Sequence, residues 1–258
     1  MWQRGARSGD ELEESVSQFF SAWVDSGEPG RTYLLRRPMR VTRVALAASA
    51  LPKHAAVLGD EGDGSEIRTT LTRPSGFGRV PLLRDLKSLL VLPTETGSYS
   101  LGASKQTLRR KSRAAVRGGA SWRRIDDPAE RRSLLATAAA YEREHPDERH
   151  RGAREPELDA STGVWLAAFD GDGQLLLLSV TLVSGEWALL RYFRAVGGSE
   201  LSSNARYYMT EQLVDVLVEL RVRYLVDTIS PAHLPNGLRH FQRMLGWRVA
   251  RVPVRSAH

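Results

Sequence analysis

The sequence predicts an α/β fold in which a mixed sheet is flanked by helices and preceded by a small α+β unit. The first observation is a set of three apolar runs, 164–169, 175–183 and 187–194, joined by short turns typical of hairpins. The second is a helix that ends near Leu220 and carries an apolar stripe. Its stripe consists of Met209, Leu213, Val216, Leu217 and Leu220. The third is a strand at 222–228, directly after that helix. We expect a helix with such an apolar face to pack against a sheet.

Composition excludes several kinds of site. The chain has 258 residues, no cysteine and six histidines without metal-ligand spacing, so disulfides, a cysteine nucleophile and a metal centre are not expected. The formal net charge of +7 favours anionic partners such as phosphates, nucleic acid or a nucleotide cofactor, although a GC-rich genome would also raise arginine content. The polar amino terminus and the lack of any run of membrane-spanning length predict a cytoplasmic protein.

Two parts of the chain differ in pattern, which predicts an N-terminal α+β subdomain at 1–98 and a second domain at 99–258. Asp10 and Glu13 form a capping-box pattern ahead of apolar residues at helical spacing, which predicts a first helix ending at Gly27. Four short runs between turns are predicted as strands. They are 33–35, 43–48, 67–71 and 88–92.

A basic helix is predicted at 104–117, starting at a possible Ser104 cap and ending at Gly118 and Gly119. It has six cations and no acidic residue: Lys105, Arg109, Arg110, Lys111, Arg113 and Arg117. Several of them are four residues apart and share one side of the helix, where their charges repel. Such a face is either simply solvated or bound by a polyanion, and we favour the polyanion.

Further elements are predicted on both sides of the three apolar runs. A strand at 122–125 leads to a helix that begins at Asp127, where Asp as N-cap and Pro at the first position form a strong start signal. The charged segment 143–160 lacks periodicity and is predicted as a long loop or a short surface helix. A last strand is predicted at 247–254.

The order of elements over about 99–254 resembles the GNAT acyltransferase fold. Two motifs resemble its aminoacyl-tRNA-using branch, which includes the Fem-type transferases and the synthase domain that lysylates phosphatidylglycerol. One is the basic segment 108–113 followed by Gly118-Gly119, similar to the basic helix that leads into their transferase domain. The other is Gly237-Leu238-Arg239-His240-Phe241-Gln242-Arg243, similar to the Fem pattern Gly-Leu-x-x-Phe-Lys. With this resemblance, a degenerate GNAT half is one reading of residues 1–98.

Two departures from these families bear on the chemistry. Gln242 stands where the Fem pattern has a lysine that is thought to stabilise the activated carbonyl. Ordinary GNAT acetyltransferases often have a tyrosine acid at this position. An amide can donate a hydrogen bond but brings no charge. The segment 194–199 is similar to a coenzyme A pyrophosphate loop. We expect the next helix to start only at Asn204, with Glu200 close to the phosphates, which makes coenzyme A less suited to this loop.

Amide or ester formation from an activated ester needs an oxyanion donor, a base and a leaving-group acid. We expect the turn before Asn204 to supply backbone N–H groups and Gln242 a side-chain donor. Asp227 could orient or deprotonate the amine, and His240 or Tyr207 could be the acid. Each also has a structural role available, such as core packing or capping. Further candidate donor-binding residues are Gly197, Gly198, Ser203, Asn204, Phe241, Arg239 and Arg243.

The leading functional hypothesis is an aminoacyltransferase that moves an amino acid from aminoacyl-tRNA to an amine or hydroxyl of a small molecule or peptide. It requires no cofactor besides the aminoacyl-tRNA co-substrate, and the basic helix would contact tRNA. The second hypothesis is an acyl-coenzyme A-dependent GNAT N-acyltransferase. The third is a non-catalytic GNAT module that binds RNA or another partner.

Overall fold

The computed structural model describes residues 8–73, 81–145, 151 and 157–256. Its helices are α1 (Gly9–Ser26), α2 (Gly30–Arg36), α3 (Pro38–Ala50), α4 (Gly62–Thr72), α5 (Pro81–Arg84), α6 (Gln106–Arg117), α7 (Pro128–Arg143), α8 (Glu200–Glu219) and α9 (Asn236–Leu245). Its strands are β1 (Ala56–Leu58), β2 (Leu86–Val91), β3 (Ser121–Arg124), β4 (Val164–Phe169), β5 (Leu175–Ser184), β6 (Trp187–Ala195), β7 (Tyr224–Asp227), β8 (Arg248–Arg251) and β9 (Val254–Ser256).

Seven strands form one mostly antiparallel sheet in the order β3-β4-β5-β6-β7-β2-β8. The pairs β3–β4, β4–β5, β5–β6 and β2–β8 are antiparallel. A separate two-stranded sheet pairs β1 with β9 in parallel. Helices flank the strands, so the predicted α/β class is confirmed.

The chain forms two compact units. The first contains the described parts of 1–60, 65–90 and 226–258, and the second contains those of 61–64 and 91–225. We refer to them as unit 1 and unit 2. The division at residue 98 that the sequence suggests stays a prediction.

Unit 2 is built on the meander of β4, β5 and β6, whose three runs the sequence predicted correctly. Alternate residues of these strands face α7, because strand side chains point to opposite faces in turn. The cluster beneath α7 consists of Ile125, Leu135, Ala138, Trp165, Ala167, Leu178, Val180 and Tyr192. The start signal of α7 is confirmed, since Asp127 accepts hydrogen bonds from the backbone N–H groups of Ala129 and Glu130.

Unit 1 is centred on α1, whose buried stripe packs against α3. The predicted helix to Gly27 is confirmed, and Gly27 ends it with a left-handed φ of 62°. The capping box, however, is formed by Ser8 and Glu11 instead of Asp10 and Glu13. Both pairs fit the same spacing rule, and only the backbone geometry decides between them.

Three of the four predicted N-terminal strands are helices instead. Residues 33–35 lie in α2, 43–48 in α3 and 67–71 in α4, whereas the strand at 88–92 is confirmed as β2. The three runs were too short to show a period, and burial overrides local propensity in such short runs. Pro38 at the first turn of α3 was the helix signal that this reading missed.

Other boundaries shift as well. The last predicted strand is divided, since β8 ends at Arg251 and β9 begins at Val254 after Pro253. In the segment 143–160, α7 reaches Arg143, and residues 146–150 and 152–156 lie outside the described residues, so the predicted loop is only partly tested.

A buried lysine in β2 is a destabilising feature of unit 1. Lys87 pairs with Ala250 of β8 and is 8% exposed. Burial is the main cause that lowers the pKa of Lys87 to about 8 from the usual 10.5, and nearby Asp85 opposes this shift. The charged form of the ammonium group is therefore less stable in the fold than in the unfolded chain.

We expect Lys87→Met to raise the free energy of unfolding at pH 7 by on the order of 1–3 kcal/mol, because it removes the cost of burying the charge. Between pH 8 and 10.5 the unfolded wild type binds more protons than the folded one, so the wild type gains stability as pH rises and the difference shrinks. Urea denaturation at pH 7 and pH 10 measures both effects. The exposed Lys53→Met is the control, and an equal effect of both variants would contradict the assignment.

Candidate functional site

The turn before α8 is the first part of the candidate site. Ser199 caps the helix by accepting a hydrogen bond from the backbone N–H of Ser202 at 3.1 Å. Ser202 in turn donates its hydroxyl to the carbonyl of Gly197 at 3.0 Å, and Gly197 has a left-handed φ of 87°. These contacts hold the turn against the helix start. As the first two helical residues, Glu200 and Leu201 present N–H groups that have no acceptor within the helix.

This geometry corrects the predicted start of α8. The helix begins at Glu200, four residues before Asn204, so the glycine turn at 197–198 directly precedes it. Ser203 and Asn204 lie within the helix and do not form the turn. Ser203 is exposed, while Asn204 is buried and its Oδ1 has no hydrogen-bond partner among the described residues. Ser199 and Asn204 are both good cap residues, and the sequence alone does not distinguish them.

A cluster that sequence reasoning missed lies where β6 ends. The Nε of Arg194 donates to Oε1 of Glu142 from α7 at 2.5 Å, and the Arg194 guanidinium lies 5.9 Å from the ring centre of Tyr192. Burial, followed by the charge of Glu142, raises the pKa of Tyr192. Desolvation, followed by the charge of Arg194, lowers the pKa of Arg206 in α8. Two guanidinium groups are thus close to each other on neighbouring elements.

The elements of this cluster are far apart in the chain, so no local motif indicated it. The signal available was Arg194 itself, the first residue of the loop that resembles a pyrophosphate loop. Tyr207, a predicted acid, follows Arg206 in α8 and is half-buried. A bulge in β6 lies just upstream, since Leu190 pairs with Thr181 and Tyr192 with Val180, which leaves Arg191 as the extra residue. Bulges of this kind often occur beside active sites.

The predicted basic helix is confirmed as α6, preceded by the 3-10 turn Ala103–Lys105. The cap position of α6 is Lys105 instead of the predicted Ser104, and its side chain makes no capping hydrogen bond. Its buried face consists of Leu108, Ser112 and Ala115. At its end, α6 meets the start of α8: a Cβ atom added at Gly118 would lie 2.7 Å from Cδ1 of Leu201. Lys111 also reaches Glu200, with 3.9 Å between Nζ and Oε1.

The six cations of α6 and its lead-in turn fall into two groups. Arg109 donates to the carbonyls of Ser100 at 2.5 Å and Gly102 at 2.6 Å, and Lys105 lies over the ring of Tyr99 at 4.0 Å, so both hold the lead-in turn. Arg110, Arg113 and Arg117 are exposed. They are three and four residues apart, so they lie on one face of α6, and we call them the arginine row.

The second part of the candidate site lies in unit 1, where Asp227 and Gln242 contact each other. Both are buried. The amide Nε2 of Gln242 donates a hydrogen bond to Oδ2 of Asp227. The other carboxylate oxygen of Asp227 accepts the backbone N–H of Ile229 at 2.8 Å. The predicted base and the predicted side-chain donor are thus brought together in a buried pair.

The remaining candidates of α9 have different surroundings. His240 is exposed and Phe241 is half-buried. Arg239 donates to the carbonyl of Leu234 at 3.2 Å, and burial lowers its pKa. Arg243 lies 3.5 Å from Glu14 of α1. The Arg243–Glu14 ion pair links α9 to α1.

A cavity of about 20 Å³ lies beside Gln242 in unit 1. Glu13, Ser88, Trp247 and Arg248 are among its lining residues. It has room for about one water molecule and is too small for a substrate. Burial raises the pKa of Glu13, and Arg248 opposes this shift. Among the described residues, no group of three or more histidine or carboxylate side chains could hold a metal ion.

Comparison with known proteins identifies the fold. No model of a known protein family matches the sequence, and neither does any curated protein. The solved structure of FemX matches with a TM-score of 0.50 and 10% identity over 76% of this chain and 68% of FemX. This similarity shows that the chain shares the fold of FemX, in agreement with the predicted fold class.

Two further structures have lower scores. A C-terminal domain assigned to a lysylphosphatidylglycerol synthetase of Agrobacterium fabrum has a TM-score of 0.49 and 14% identity over 64% of this chain. L-PGS of Bacillus licheniformis has a TM-score of 0.48 and 13% identity over 65% of this chain. The chain spans 60% of the length of each of these two structures.

We expect Gln242→Ala to lower the free energy of unfolding by about 1–3 kcal/mol, because the buried Asp227 carboxylate loses a hydrogen-bond donor. Gln242→Glu should destabilise more, since it places two carboxylates against each other. Urea denaturation measures both effects, and His240→Ala on the exposed side of α9 is the control.

The double variant Asp227→Asn/Gln242→Glu reverses the direction of the amide-carboxylate hydrogen bond. It should therefore be more stable than Gln242→Glu alone, with a favourable coupling energy in a double-mutant cycle. Strictly additive effects would show that the two side chains do not interact.

Proposed function

We propose that the chain is a transferase that takes an amino acid from aminoacyl-tRNA and joins it to an amine or hydroxyl of a small molecule or peptide. The fold supports a transferase, since FemX shares it. The finer assignment rests on features of this chain. The observation that carries it is the arginine row of α6, which ends beside the glycine turn at the start of α8.

The arginine row suits a nucleic acid backbone. Three exposed guanidinium groups on one helical face repel each other in the free protein, and phosphates between them would turn this repulsion into attraction. Arginine side chains bind phosphate oxygens in a bidentate manner. Arg109 and Lys105 stabilise the lead-in turn instead, so they would contribute to RNA binding indirectly.

The start of α8 suits the reacting end of the donor. Attack of the acceptor on the ester carbonyl forms a bond to carbon and places negative charge on the carbonyl oxygen. Backbone N–H groups at a helix start stabilise such a charge. The ester C–O bond then breaks, the leaving ribose oxygen takes up a proton, and the attacking group loses one. Arg194 and Arg206 add positive charge near this turn, which would hold the terminal phosphates.

The side chains that move these protons stay predictions. Tyr207 remains the predicted acid in unit 2. Asp227, Gln242 and His240 remain predicted as base, donor and alternative acid. Gln242 already donates to Asp227, so we infer that one of its roles is to orient this carboxylate.

The second candidate, an acyl-coenzyme A-dependent transferase, is favoured by one observation. The glycine turn at 197–198 stands directly before α8, as a diphosphate-binding loop requires. Against it stands Glu200, the first residue of the helix, whose carboxylate is 83% exposed and only loosely paired with Lys111 at 3.9 Å. That charge would repel a diphosphate.

The donor can be identified directly. We expect the protein to discharge a mixed pool of aminoacylated tRNAs in the presence of amine acceptors and to leave acyl-coenzyme A intact. Loss of the aminoacyl ester and of the thioester are followed separately, with RNase-treated tRNA as the control. Consumption of the thioester alone would establish the second candidate. Binding of tRNA without any turnover would establish a non-catalytic module.

The arginine row gives a further prediction. Arg110→Ala/Arg113→Ala/Arg117→Ala should weaken tRNA binding. The plot of log K against log salt concentration should become less steep by about 2–3, about one unit per lost phosphate contact. Fluorescence anisotropy with labelled tRNA at several salt concentrations measures this. The control is Arg31→Ala/Arg40→Ala/Arg43→Ala, which removes the same charge from unit 1. Equal losses in both variants would show that only net charge matters.

A further inference from the structure

Helices α2 and α3 of unit 1 expose three large apolar side chains. Leu35 is 84% exposed, Met39 is 82% exposed and Leu46 is 66% exposed. Single exposed apolar residues are common on protein surfaces, but these three lie on two consecutive helices separated by one residue. Their number and degree of exposure indicate a surface that is covered in another state.

In α3 the larger apolar side chains are on the exposed face and the smaller ones are on the buried face, which is the reverse of an ordinary surface helix. The face toward α1 buries small residues, Val44, Ala47 and Ala48. Met39 and Leu46 are seven residues apart and therefore share the outer face, with Arg43 between them. A helix that served only the core of unit 1 would place its larger apolar side chains inward.

The charged residues within α2 and α3 are all arginines. The sequence from 29 to 59 contains five arginines and no acidic residue. Glu28 pairs with Arg37 at 2.9 Å and lies 3.7 Å from Arg36. The remaining three arginines, Arg31, Arg40 and Arg43, are exposed beside the apolar residues. We call Leu35, Met39, Leu46 and these three arginines the α2–α3 face.

A groove adjoins this face between α1 and α3. Its volume is about 380 Å³, its apolar lining includes Phe19, Ala22 and Val44, and Arg40 and Arg43 line it as well. Such a groove joins positive charge to an apolar floor. This combination suits an amphipathic anion whose head group meets the arginines while its hydrocarbon part meets the floor.

We propose that the α2–α3 face binds the surface of a membrane that contains anionic lipids. An amphipathic helix with arginines beside large apolar residues lies in the membrane interface, with its apolar side chains below the level of the head groups. The arginines add electrostatic attraction to the anionic surface. No helix among the described residues has the length and hydropathy to cross a bilayer, and this mode of binding does not need one.

Other occupants fit the α2–α3 face less well. An RNA backbone would pair with the arginines but would leave Leu35, Met39 and Leu46 facing charged phosphates. A second copy of the chain, packed by twofold symmetry, would bring two sets of arginines together without acidic residues to neutralise them. A surface that is both anionic and apolar at depth complements both kinds of side chain.

The test is binding of the full chain to vesicles, measured by co-sedimentation at low salt. Vesicles of phosphatidylcholine mixed with phosphatidylserine are compared with vesicles of pure phosphatidylcholine. We expect binding to the anionic vesicles only. Arg31→Ala/Arg40→Ala/Arg43→Ala should reduce it by roughly 100-fold, at about fivefold per arginine. Met39→Ser/Leu46→Ser should reduce it more than about tenfold while keeping the charge.

The matched control is Arg110→Ala/Arg113→Ala/Arg117→Ala, which removes the same charge from α6 and should retain vesicle binding. Circular dichroism checks that each variant is folded, which is expected because the substituted side chains are exposed. The inference does not depend on the donor or the reaction, since vesicle binding is measured without substrate.

Three results would overturn the proposal. The first is no binding of wild type to anionic vesicles, or binding that the α2–α3 variants retain in full. The second is a loss of tRNA affinity on substituting Arg31, Arg40 and Arg43 that exceeds the loss in the α6 variant, which would assign the face to RNA. The third is a wild-type dimer that Met39→Ser/Leu46→Ser turns into a monomer in sedimentation equilibrium, which would assign the face to a second copy.

Discussion

The hydrogen bonds around Ser199 and Ser202 decide where α8 begins, and the candidate chemistry in unit 2 depends on that position. Because Ser199 caps the helix and Ser202 binds the carbonyl of Gly197, the glycine turn is held at the helix start. With α8 starting at Glu200, Leu201 lies against Gly118 and Glu200 lies near Lys111, so the end of the basic helix is close to the start of α8. A start at Asn204 would place a negatively charged loop there instead.

The sequence predicted the elements whose signals are local and long enough to show a period. β4, β5 and β6 have hairpin turns between them, α7 has an Asp127 cap followed by proline, and α6 has a glycine stop. The N-terminal runs failed for the opposite reason. Runs of three to six residues in α2, α3 and α4 fit a strand or a buried helix equally well. In α2 and α3, packing in one core cluster with α1 favours the helix.

The candidate site shows the same division between local and tertiary information. Spacing correctly indicated a charged face on α6. It could not show that Arg109 donates to the carbonyls of Ser100 and Gly102, whereas Arg110 is exposed. The Arg194–Glu142 pair joins residues 52 positions apart, and the Asp227–Gln242 pair joins residues 15 positions apart. Each partner was visible in the sequence only as a single polar residue.

Two sets of three exposed arginines, one in each unit, carry the same charge but have different neighbours. On α6 the arginines border one exposed valine, Val116, and the larger Leu108 is buried. On α2 and α3 they border exposed leucine and methionine. Charge attracts either set to any polyanion, whereas the apolar neighbours gain free energy only where water is excluded. The apolar residues therefore distinguish a surface for RNA from a surface for a bilayer.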